Sequence, residues 1–139
     1  MEIKKDTIEI ETKAGTDVIN LTQKVSKIVE NMNIKEGQVL LFISGSTSAI
    51  TTIEFESGVL NDLKQAIERL VPENIHYEHN LRWGDGNGYS HVRASLLGPS
   101  LTVPLNNGKM ILGTWQQIVL IDFDNRPRNR KILIQITGK

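Results

Sequence analysis

The chain contains no cysteine. Disulfides, thiolate zinc sites and cysteine nucleophiles are therefore excluded. An excess of one charge is also lacking: 16 lysines and arginines balance 16 aspartates and glutamates. The two signs are mixed, without the basic stripe of a nucleic-acid binder. No stretch approaches the ~20 apolar residues of a membrane span. The opening MEIKKDTIEIETK has no apolar run behind its lysines and does not read as a secretory signal. The expectation is a cytoplasmic protein with neither nucleic acid nor membrane as partner. Repeats and linkers are absent too, and 139 residues fit one domain, 1–139. A chain of this size buries roughly 70% of its unfolded surface, enough for a core without staples.

What is present is a change of periodicity along the chain. DTIEIET (6–12) alternates apolar and polar residues and predicts a half-buried strand. In NLTQKVSKIVENMN, Leu21, Val25, Ile28 and Val29 fall at helical spacing. Asn20 with Gln23 fits a capping box, which places the helix start at Asn20. QVLLFIS (38–44) is too apolar to alternate and predicts a strand buried on both faces. STSAITTIEFE (46–56) is rich in β-branched residues and predicts the next strand. Ser57 is placed to cap a second helix with Leu60, Leu63, Ile67 and Leu70 on one face, ended by Pro72. The remainder is mainly β: SLTVPL, KMILG, QQIVLIDFD and RKILIQIT. Asn107-Gly108 is a hairpin signal, and DNRPRN is a second turn. Early helices and late strands joined by short turns indicate an α+β fold, a mostly antiparallel β-sandwich with helices packed on it.

The segment GDGNGYSHVRASLLGPS (84–100) raises the question of a site. Ser90 is placed to cap a helix that runs to Gly98. A helix start offers unpaired N–H groups to an anion, His91 would lie in its first turn, and Arg93 is near enough to add charge. The same residues also read as a loop and a capped surface helix.

This segment continues into a recognisable pattern. SH-V-R-A-S-L-L-G-P-S (90–100), Val103-Pro104, the hairpin glycine and GTWQ (113–116) resemble the YjbQ-like family, the UPF0047 group. YEH (77–79) and TSA (47–49) match as well, so the resemblance spans nearly the whole chain. It implies an α+β antiparallel sandwich, a homotrimer, and a cleft of histidines and polar residues. It also implies a thiamine-phosphate synthase activity, joining a pyrimidine diphosphate to a thiazole phosphate with release of pyrophosphate. The alternatives are a metal-assisted phosphate-ester hydrolase and a non-catalytic trimeric ligand-binding protein. In one place the chain departs from the pattern: Ser46 stands where most relatives carry a histidine. Glu54-Phe55 likewise replaces an Asn-Glu pair. The three-histidine cluster is thus reduced to His79 and His91, which remain the ligand candidates for a divalent metal, zinc or magnesium.

The resemblance makes His79, His91 and Glu54 the catalytic candidates. Imidazole suits proton transfer or metal ligation, and Glu54 offers a carboxylate base or a solvent-facing strand residue. Ser46, Thr47, Ser48, Ser90 and Ser95 are hydroxyls able to bind a phosphorylated small molecule or to satisfy the local backbone. Asp85 and Asn87 are good turn residues as well as ligand contacts. Arg93 reads as a phosphate clamp or an ion-pair partner. Trp115 reads as a core or subunit contact, or as a stacking wall for a flat ring, with Thr114 and Gln116 beside it. Arg126, Arg128, Arg130 and Lys131 read as a solvated hairpin or a phosphate-attracting rim.

Overall fold

The computed structural model describes residues 1–139. Strict alternation in RNRKILIQITG turns Ile132, Ile134 and Ile136 to one face, and this segment forms the long strand β8 (Arg128–Gly138). The elements before it, in chain order, are β1 (Glu2–Thr12), β2 (Asp17–Asn20), α1 (Thr22–Asn31), β3 (Gly37–Ile43), β4 (Ser48–Ile53), α2 (Ser57–Leu70), α3 (Glu78–Trp83), α4 (Gly88–Leu97), β5 (Ser100–Asn106), β6 (Lys109–Met110) and β7 (Gln117–Asp122). They build a large sheet in the order β1-β8-β3-β5-β6 and a small one in the order β2-β7-β4. Every pairing is antiparallel. The α+β sandwich read from the sequence is the architecture found.

The core lies between the sheets. Val39, Leu41, Ile43, Ile132, Ile134 and Ile136 of the large sheet meet Ile50, Ile118 and Leu120 of the small one, and Val25 and Val29 of α1 join the same cluster. Full burial of each such side chain stabilises by roughly 1.5–3 kcal/mol. The other face of the small sheet carries Ala49, Val119, Ile121 and Phe123, which pack against Ile67 of α2 and Ala94 of α4. The small sheet is therefore the middle layer, and the helices α2 and α4 form the third.

This layering corrects the assignment of the doubly buried strand. In β3 Gln38 and Phe42 are exposed, because the large sheet is covered on one face only. The strand buried on both faces is β7. Two other boundaries differ. Asn20 accepts from the Thr22 amide as a cap would, at 3.0 Å, but is itself the last residue of the unforeseen strand β2. Glu56, not Ser57, caps α2, its carboxylate accepting from the Gly58 and Val59 amides. These two amides hold the Glu56 carboxyl below its ordinary value.

The hairpin at Asn107-Gly108 forms as read, both residues adopting positive φ between β5 and β6. The turn at DNRPRN is not a hairpin: β7 and β8 lie in different sheets, and residues 123–127 carry the chain across the sandwich edge. At the start of β3, glycine is required. A methyl on Gly37 would run into the Thr137 carbonyl of β8.

Candidate active site

Two crossings between the sheets meet at one end of the sandwich. Residues 44–47 link β3 to β4, and residues 123–127 link β7 to β8. The Phe123 amide donates to the Thr47 carbonyl at 2.9 Å and ties the crossings together. Beneath them lies a closed ion network. Asp122 is fully buried, and Arg130 donates to it through Nε at 2.7 Å and through Nη2 at 2.9 Å. The Thr12 hydroxyl donates to Asp122 at 2.7 Å. Asp124, almost fully buried, accepts from the Thr47 hydroxyl at 2.9 Å and from Arg128 Nε at 3.0 Å. Burial raises the Asp124 carboxyl, but bonds from Thr47, Arg128 and the Arg126 amide more than offset it, so the group sits below its ordinary value. These contacts keep both charges compensated inside the fold, as buried ions require.

Helix α4 forms the opposite wall. It starts at Gly88, two residues before the expected Ser90, and the Asn80 side chain accepts from the Gly88 amide at 2.9 Å. Glycine is needed at 88, since a Cβ there would press on the Tyr77 side chain at 2.6 Å. Ser90 is sealed inside, its hydroxyl 2.6 Å from the Phe123 carbonyl and 2.5 Å from Asn87 Oδ1. It docks the helix on β7 and is closed to substrate. The His91 amide already bonds the Asn87 carbonyl, so the expected anion site at a Ser90–His91 helix start does not form.

Arg93 lies two residues from His91 and therefore on the other side of the helix. It is buried and donates to the Val71 carbonyl, Glu68 and Thr16, and its guanidinium lies 4.8 Å over the Tyr89 ring. It clamps α4 to the end of α2 and is no phosphate ligand.

His91 instead faces His79, which is carried by α3, a helix the sequence reading did not assign. The ring centroids are 4.5 Å apart and the planes tilted by 46°. His79 Nδ1 is shut off from solvent without an aligned hydrogen bond. Its nearest charged neighbour is Asp85 Oδ1, at 3.4 Å. A long contact of this kind suits a proton-handling group that tightens on binding substrate. No group of three or more His, Cys, Asp or Glu side chains forms a metal cage. The pair His79 and His91 assembles, but with Ser46 in place of a third imidazole the donor set does not fit a resident zinc or magnesium.

Two adjoining cavities open here, of about 420 and 360 Å³, sharing Gly45, Ser46 and His91. The first continues over Ser48 and Ser95, the second over Asp85, Asn87, Asp124, Arg128 and Arg130. Together they have the size of a small-molecule site. Ser46 is exposed on the rim. Thr47 lines the second cavity, but its hydroxyl is fully engaged, donating to Asp124 and accepting from Arg130 Nη2 at 2.6 Å. Ser95 donates to the Val92 carbonyl of its own helix. Ser48 differs from both: it is 2% exposed, and its hydroxyl has no partner.

The remaining candidates lie elsewhere. Ser48 pairs with Asp122 at one end of β4–β7, and Ile53 with Gln117 at the other. Glu54, Thr114 and Trp115 follow that second end, about 17–20 Å away along six-residue strands, where they line a separate cavity. Gln116 is beside them, accepting from the Gly113 amide. None of the four reaches the histidines within one chain. Trp115 is 71% exposed and is not a core residue.

Sequence reasoning missed the network of Asp122, Asp124 and Arg130. Its signal was present: two aspartates flank Phe123 at the end of an otherwise apolar strand, and arginines follow at the same two-residue spacing.

Comparison with known proteins follows the same outline. Residues 6–139 match the family model described as "UPF0047 protein YjbQ-like". A UPF0047 protein of Methanothermobacter thermautotrophicus is 41% identical over 139 residues, covering 100% of this chain and 95% of that protein. UPF0047 protein YugU of Bacillus subtilis is 33% identical over 95% of this chain and 98% of its own length. The crystal structure of a YbjQ-like protein of unknown function from Sulfolobus solfataricus P2 superposes with a TM-score of 0.89 at 31% identity, covering 99% of this chain and 100% of that one.

Proposed function

Since the chain belongs to the YjbQ-like UPF0047 family, we propose that its cleft holds a phosphorylated small molecule and carries out thiamine-phosphate synthesis. In that reaction the thiazole ring nitrogen attacks the methylene carbon of the pyrimidine diphosphate. A C–N bond forms, the C–O bond breaks, and its electron pair leaves with pyrophosphate. Such chemistry needs two substrates held in line, donors at the departing oxygens and a proton for the leaving group.

The observation that supports this reading is the tilted His79–His91 pair beside a cavity rimmed by Arg128 and Arg130. His91 opens onto both cavities and is placed to donate to the leaving pyrophosphate. His79, with Asp85 behind it, orients His91 and exchanges protons with it. Asn87 and Ser46 supply polar contacts at the wall and rim.

The test is to incubate the purified protein with both substrates and measure thiamine phosphate and pyrophosphate separately. Equal amounts of the two products are expected, with at least about a 100-fold loss in His91→Ala, as for removal of a general acid. Orthophosphate without thiamine phosphate would refute the transfer and mark a hydrolase. Binding without turnover would refute catalysis altogether.

A homotrimer is part of the same proposal. Phe42, Phe55, Ile111 and Trp115 are apolar and exposed on the single chain, and Phe55 and Trp115 line one cavity together. Sedimentation equilibrium should give three times the 15.6 kDa chain mass. A monomer at micromolar concentration would refute it.

A further inference from the structure

The ion network is lopsided. Arg130 presents Nε and Nη2 to Asp122 and Thr47, but its Nη1 donates no hydrogen bond within the protein. The side chain is only 9% exposed, and the residue lines the cleft. A guanidinium edge left open in a nearly closed site is a ready donor for an oxyanion. Beside it stands the second unpartnered group, the Ser48 hydroxyl, buried and without any bond. A buried hydroxyl left without a partner costs stability, so the position calls for an occupant that accepts its proton.

Gly45 joins the two. A Cβ built on it would lie 2.8 Å from Arg130 Nη1 and 3.7 Å from Ser48 Oγ. Any side chain at 45 would press on the first donor and cover the second. Its φ of +138° is also one that L residues rarely adopt. Glycine thus leaves the space beside both donors clear, in the loop that carries Ser46 and faces His91; Ser48 borders the first cavity and Arg130 the second.

We infer that Gly45, Ser48 and Arg130 form the seat for a phosphoryl group, with Arg130 Nη1 and Ser48 Oγ donating to its terminal oxygens. The inference rests on the phosphorylated-substrate reading of the same cleft and assigns the end at which the phosphate is held. The ligand class is a phosphate monoester or diphosphate whose terminal group enters this corner while the ester oxygen lies toward His91. The Asp124 carboxylate also borders the cavity. Its oxygens are taken by Thr47, Arg128 and the Arg126 amide, which turns its acceptors away from an incoming anion.

The experiment is calorimetric titration of the full chain with inorganic pyrophosphate. It uses wild type, Ser48→Ala, Gly45→Ala, Arg130→Lys and His91→Ala, each checked for folding by circular dichroism and melting temperature. Ser48→Ala keeps the fold, because it removes an unsatisfied group. It should melt at or slightly above the wild-type temperature while binding pyrophosphate about tenfold more weakly, the worth of one hydrogen bond to a charged group. Gly45→Ala should weaken binding by more. Arg130→Lys retains the charge but not the planar donor edge and should also lose affinity. Wild-type affinity in Ser48→Ala, with wild type binding well, would overturn the seat and leave the cleft reading intact. If binding falls in His91→Ala but in neither Ser48→Ala nor Gly45→Ala, the phosphate sits elsewhere in the cleft and the inference fails. If wild type binds no pyrophosphate, the cleft reading fails and the seat with it.

Discussion

Replacing Arg130 by methionine removes the charge that compensates Asp122 and little of the side-chain volume. Asp122 is fully buried, and Arg130 supplies it with two bonds, at 2.7 and 2.9 Å. What remains around the carboxylate is the Thr12 hydroxyl and the Asp124 amide. Breaking one side of such a pair costs about 3–5 kcal/mol, because the other charge stays buried. For 139 residues the unfolding entropy is about 290 cal/mol/K, so each kcal/mol moves Tm by roughly 3–4 °C. Arg130→Met should therefore melt about 10–17 °C lower. The double variant Arg130→Met/Asp122→Leu removes both charges and should recover much of the loss, since an apolar pair replaces a buried ion pair at little cost. Differential scanning calorimetry on the three proteins is the assay. A single variant within about 3 °C of wild type, or a double variant less stable than the single, would refute the claim that Arg130 compensates a buried Asp122.

Four further expectations follow from the geometry. Glu56→Ala should lower the melting temperature, whereas Ser57→Ala should not, because the carboxylate and not the hydroxyl holds the α2 amides. The Glu56 carboxyl is depressed in the folded state, so the cap's contribution is complete above its ordinary value of 4.5 and fades as the pH falls below it. The Tm difference between wild type and Glu56→Gln should shrink accordingly on acidification. Gly37→Ala should destabilise by about 1–3 kcal/mol through overpacking against the Thr137 carbonyl, read by urea titration. Leu41→Ala should cost about 2–5 kcal/mol, while Phe42→Ala should spare the folded chain and weaken its self-association, read by sedimentation.

The elements whose apolar pattern is long were legible in the sequence. Alternation in 6–12 and the apolar segment RKILIQIT (130–137) placed the strands that became β1 and β8, and the Asn107-Gly108 pair placed its hairpin. Layer order was not legible: continuous apolarity cannot say which of β3 and β7 lies in the middle, since that depends on where the helices dock. The short elements β2 and α3 carry too few residues for a period to show. At one end of the sandwich, Ser46, Ser48, Asp85, Asn87 and His91 line the two adjoining cavities, and His79 packs on His91. Trp115 was grouped with them by motif and Glu54 by the carboxylate it offers, but strand direction puts both at the far end of β4 and β7. Arg93 and Ser90 looked like ligands because charge and hydroxyl are visible in sequence, whereas burial and existing partners are not.

The central claim is that the cleft lined by His91, with His79 packed against it, receives a phosphorylated small molecule. The chain has three histidines: His91 lines both cavities, His79 packs against its ring, and His76 is exposed to solvent. Imidazole ¹H–¹³C resonances followed during a pyrophosphate titration therefore carry an internal control. The account predicts saturable shifts of the His79 and His91 signals with His76 unmoved. Signals that stay in place, or three that drift together without saturation, would contradict it.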